Sequence, residues 1–168
     1  MSSATVRRAV ADWFASPAVQ GLQRVWAAQP WYGSDREYMA SVNGGWGAVG
    51  YVHLTEQSET RIALGGATGG TKEVTYRVGL VVLFKWNIPQ GAPVAGTDES
   101  AYVTQLDQLL DDVVARLRSD RTLGGAVWQA GENPNDVKIT RDLPKRMGNT
   151  AILAWQVVEF DVVEMVAA

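Results

Sequence analysis

Val74-Thr-Tyr76-Arg-Val78-Gly-Leu80-Val-Val82-Leu-Phe84-Lys-Trp86 carries an apolar side chain at every even position. Successive side chains of a strand point to opposite faces, so the run predicts a β-strand with one buried face. At roughly 3.3 Å per residue it reaches about 40 Å, well past the usual strand of about five or six residues. Ala151–Val166 repeats the pattern with Ile152, Ala154, Val158, Phe160 and Val162 on one side. On its other side Leu153, Trp155 and Val157 give way to Glu159 and Asp161, as in a strand leaving a covered region for an exposed one. Strands this long project beyond a compact core or meet another subunit. The first expectation is therefore assembly.

Composition narrows the classes. The chain has 168 residues, 46% hydrophobic and 20% charged, which suits one domain spanning 1–168. A domain of that size buries roughly 68–70% of its extended-chain surface and needs no covalent staple. Cysteine is absent, which removes disulfides, thiolate catalysis and zinc–thiolate sites. The formal charge of −3 argues against a non-specific grip on nucleic acid. No apolar run has the length of a bilayer span, and Asp12 and Pro17 interrupt the stretch that follows Arg7 and Arg8, so neither a membrane segment nor a signal peptide is expected. Seven Trp residues are many for this length, and Trp favours interface anchors.

Around the two long strands the remaining elements are expected as follows. Thr5–Ala28 has helical periodicity: Val6, Val10, Trp13 and Phe14 share one face, and Leu22, Val25 and Trp26 another. Ser16-Pro17 between them predicts two short helices or one bent one. Gln29–Gly47 is a long loop bearing Trp31, Tyr32, Tyr38 and Trp46, and aromatic rings on such a loop suggest docking. Ala48–Glu56 and Thr60–Leu64 read as strands around a turn at Gln57-Ser58-Glu59, followed by the Gly-rich connection 65–71. Pro89 and Pro93 mark a loop. Thr97–Leu123 is the clearest helix, with the stripe Tyr102, Leu106, Leu109, Leu110, Val113 and Leu117, arginines at its end and Gly124-Gly125 stopping it. Ala126–Ala130 and Asp136–Asp142 are expected as short strands around the turn at 132–135. The whole predicts an α+β fold, a mainly antiparallel sheet with the helices packed on one face.

Candidate chemistry is sparse. Gly65-Gly66-Ala-Thr-Gly69-Gly70-Thr71-Lys72 has the glycine spacing of a phosphate loop, but Thr71 and Lys72 stand in reversed order and a strand follows where a helix is needed. Glu159 and Asp161 share one strand face, and their readings are a cation or acid–base pair, or a solvated face or salt bridges to another subunit. His53, the single histidine, has no Ser or acidic partner at motif spacing. Arg141, Lys145 and Arg146 form a small basic patch without the breadth of a nucleic-acid surface. No catalytic residue, cofactor or metal is predicted.

The segment Leu106–Trp128 resembles the C-terminal half of long-tailed bacteriophage tail terminator and minor tail proteins. There a helix ending in D-x-T-L-G-G-x-V leads into strands and a long terminal strand rich in valine and acids. Asp120, Thr122, Leu123, Gly124, Gly125 and Val127 match that turn, and Gln156-Val-Val-Glu-Phe-Asp-Val-Val163 matches the last strand in character. The element order over nearly the whole chain is also similar. The resemblance implies a non-enzymatic virion protein, assembled in the host cytoplasm, whose hexameric ring caps the tail tube and receives the head-side connector. DNA would pass through its centre as cargo, which a net acidic chain repels rather than traps.

The interface residues expected on these grounds are Trp31, Tyr32, Tyr38, Gly65, Gly66, Gly69, Gly70, Glu159 and Asp161. Two rival readings remain at this level. One is a neighbouring virion part, a head-closure or tail-completion connector or a tube protein. The other is a small α+β binding protein or hydrolase using Glu159, Asp161 or His53.

Overall fold

The alternation of residues 74–86 builds the central strand of a sheet in the computed structural model, which describes residues 2–30, 45–63, 70–88, 99–131, 137–148 and 150–167. In chain order the elements are α1 (Ser3–Ala15), β1 (Leu22–Trp26), β2 (Trp46–Ala63), β3 (Thr71–Asn87), α2 (Glu99–Ser119), β4 (Gln129–Ala130), β5 (Lys138–Arg141), β6 (Lys145–Met147) and β7 (Ala151–Ala167). The strands lie in the order β1-β2-β3-β7-β4, and β5 and β6 also pair with β7. β1 is parallel to β2, and every other pairing is antiparallel. This is the α+β architecture expected from the sequence pattern.

Register decides which side chains meet. Leu80 lies between Val52 and Val158, and Phe84 between Ala48 and Ala154. The even-numbered residues of β3 and β7 therefore share one face, and Val78, Leu80, Val82, Val158, Phe160 and Val162 on it are completely buried. The stripe of α2 (Leu106, Leu109, Leu110, Val113, Leu117) and that of α1 (Val6, Val10, Phe14) complete the same core. Phe14 meets Phe160 edge to face at 6.5 Å between centroids.

The two helices are tied by one residue pair. The Arg116 guanidinium stacks 3.5 Å over the Trp13 ring. It donates to the Trp13 carbonyl at 3.1 and 3.2 Å and to the Ser16 carbonyl at 2.9 Å. In return Trp13 Nε1 donates to the Arg116 carbonyl at 3.2 Å. The last turn of α1 and the carbonyl end of α2 are thus satisfied together.

Several sequence expectations are corrected. Leu22–Trp26 is a strand, not a helix: a five-residue run fits a helical spacing by accident, and the edge of β2 offers it a ladder. Gly21 makes the approach with φ +82°, where a Cβ would lie 2.2 Å from the Trp46 ring. Residues 46–63 form one strand rather than two around a turn, because Gln57, Ser58 and Glu59 keep their pairing with Tyr76, Thr75 and Val74. Trp46 and Gly47, expected in a loop, begin that strand. Among the described residues α2 is shorter than expected: it ends at Ser119, and residues 121–126 are turn. β4 and β5 are shorter than expected, and β6, which no pattern suggested, pairs Lys145–Met147 with Ala151–Leu153.

Two substitutions test this packing. Leu110→Ala removes a completely buried side chain and is expected to lower unfolding free energy by about 2–5 kcal/mol in denaturant titration. Arg116→Lys keeps the charge but loses the planar stack and the forked donation, so it is expected to cost about 1.5–3 kcal/mol. Wild-type stability in the lysine variant would disprove the clamp.

Candidate assembly surface

The face of the sheet turned away from the helices carries the odd-numbered residues of β3 and β7. Near β1 it is apolar and aromatic: Val49, Val81 and Leu153 are buried, while Trp26, Tyr51 and Trp155 are half-buried. Arg24 lies over the Trp26 ring at 4.9 Å and Lys145 over the Trp155 ring at 5.5 Å. Further along the strands the same face becomes charged. Asp161 accepts a hydrogen bond from Arg77 of β3 at 3.0 Å, and Glu159 pairs with Lys138 of β5 at 3.7 Å.

These ion pairs bear on the readings of Glu159 and Asp161. Each carboxylate is matched by a cation from a different neighbouring strand of its own chain. Both bridges lie within one chain, not to another subunit as the sequence pattern allowed, and they fit a partly solvated, salt-bridged strand face. Among the described residues no group of three or more His, Asp or Glu side chains could hold a metal. His53 is exposed, on the outward face opposite Gly79. The basic patch is divided: Arg141 pairs with Asp107 of α2, whereas Lys145 turns to Trp155. Gly70 is half-buried immediately before β3. Trp31, Tyr32, Tyr38, Gly65, Gly66 and Gly69 lie outside the described residues.

The three longest strands extend together as a blade. β2, β3 and β7 have 18, 17 and 17 residues, roughly 55–60 Å at the usual rise. β1 pairs with β2 only as far as Tyr51, so among the described residues no strand lies on the outer side of β2 from His53 onward. Every residue from Thr55 to Ile62 is exposed. On the opposite side, among the described residues, the ladder partners of β7 end at Val163, the residue opposite Gln129. Beyond it, Met165 is 40% exposed, and Ile62 on the far edge is 53% exposed. Trp128, 60% exposed, donates its backbone N–H to the Val163 carbonyl at the same corner.

The blade edge on β2 is not a flat template. Bulges interrupt it between Leu54 and Glu56 and between Arg61 and Ala63, and Glu56, Glu59 and Arg61 add charge. Glu59 is held by Lys72 at 2.8 Å, and that bond and charge lower its pKa below the ordinary carboxylate value. On the helix side of the blade Tyr76 and Glu164 are buried. Burial first, then the charges of Glu164 and Glu59, push the Tyr76 hydroxyl above its ordinary value.

The turn after α2 is equally specific. Asp120 Oδ1 accepts from the Thr122 N–H at 2.8 Å and from its hydroxyl at 2.7 Å, and Oδ2 accepts from the Gly124 N–H at 3.0 Å. Thr122 Oγ1 accepts from the Gly125 N–H at 2.9 Å. Three successive residues then take positive φ: Leu123 at 49°, Gly124 at 74° and Gly125 at 82°. Glycine is favoured at the last two positions because a side chain rarely adopts that region. The D-x-T-L-G-G pattern is therefore a folding device that turns the chain from α2 toward β4.

Sequence reasoning missed Ile62, Trp128 and Met165. Ile62 had a signal, as the apolar residue that ends the polar run Thr55–Arg61, and Met165 lies on the same strand face as Glu159, Asp161 and Val163. No protein-family model and no curated protein matches the chain.

The turn generates a pH test. Hydrogen bonds from Thr122 chiefly, with Gly124 and the Arg116 charge, hold the Asp120 carboxyl below its ordinary value. The unfolded chain takes up that proton more readily, so the contribution is complete above the ordinary carboxylate range and is lost as pH falls through the folded-state value. Asp120→Asn should be less stable than wild type near neutrality, with the gap closing in acid. A gap independent of pH would contradict this role.

Proposed function

We propose that this chain is a structural virion protein of the tail terminator kind. Its copies close into a ring, with six as the expected number. The ring caps the tail tube on one side, receives the head-side connector on the other, and lets DNA pass through its centre. The observation that carries the reading is the blade, three adjacent strands whose two outer edges both run on beyond their partners among the described residues.

An edge left open on each side of one sheet suits heterologous contact, in which one surface of a subunit meets a different surface of the next. Such contacts close into rings or continue as open helices, depending on the rotation per step. Bulges and charges on β2 oppose indiscriminate pairing of free subunits, a common protection for exposed edges. The exposed apolar residues Ile62, Trp128 and Met165 stand where the next copy would cover them. The hydrogen-bonded turn from Asp120 to Gly125 supports the resemblance from which the ring architecture is drawn, since each polar residue of the matched pattern has a role in it.

Native mass measurement and negative-stain electron microscopy of the purified protein test the proposal. Closed rings of uniform copy number are expected. Ile62→Asp should dissolve them while changing subunit stability by no more than about 0.5 kcal/mol, the usual range for a surface substitution. Long open stacks would point instead to a tube subunit, and a monodisperse monomer at high concentration would overturn the reading.

A further inference from the structure

No further inference is drawn: the strongest candidate, the outward sheet face where Trp26, Tyr51 and Trp155 lie beside Arg24 and Lys145, carries no proposal because nothing in the structure shows what covers it.

Discussion

Backbone pairing along β7 is the constraint on which the rest of the molecule depends. A strand of 17 residues presents amide and carbonyl groups on two edges, and those shielded from water must find partners. β3 satisfies one edge over its full length, from Thr71 opposite Ala167 to Asn87 opposite Ala151. The other edge is met by three short pieces, β4, β5 and β6. The last two act as one broken strand: the Asp142 N–H donates to the Trp155 carbonyl at 3.2 Å in the gap between them. This pairing sets the register, and register sends Val158, Phe160 and Val162 to the helices and Glu159 and Asp161 to the opposite face.

The pairing also limits one of the sequence arguments. Length alone suggested that both long strands would need other copies to complete them. Within one chain β3 is flanked on both sides, and β7 is flanked as far as Val163. What the described residues leave without a strand partner is narrower: the outer side of β2 past Tyr51 and the far end of β7. Charge follows the same division. Glu56, Glu59 and Glu73 lie toward the blade end, and two of the sheet's acids, Glu159 and Asp161, are matched by Lys138 and Arg77. Net acidity is therefore an incomplete guide to what any one surface attracts or repels.

Long elements with a sustained period were legible from the residues. β3, β7 and α2 each repeat their pattern over several turns or pleats, so a few exceptions do not obscure it. Short elements were not. Leu22–Trp26 fits a helical spacing as well as a strand, and its state is decided by an available edge on β2, a tertiary fact. Gln57-Ser58-Glu59 looks like a turn because it is polar, yet β2 itself is exposed from Thr55 to Ile62 and has no buried face of its own to maintain there. β6 carries Lys145 and Arg146, residues that edge strands commonly use and that strand patterns do not reward. The turn at Asp120–Gly125 was recognisable as a pattern, but its hydrogen bonds follow from geometry. At the surface, Glu159 and Asp161 could be placed on one face from spacing alone. Their partners Lys138 and Arg77 come from two different strands, which no spacing rule connects.

The most direct measurement is amide hydrogen exchange across residues 53–62 and 165–167, compared between the assembled particle and subunits dissociated from it. Edges completed by neighbouring copies should exchange rapidly in the separated subunit and become protected in the particle, while β3 stays protected in both. Equally rapid exchange of both segments in the two states would contradict the account, because the open sides of the blade would then have no part in assembly.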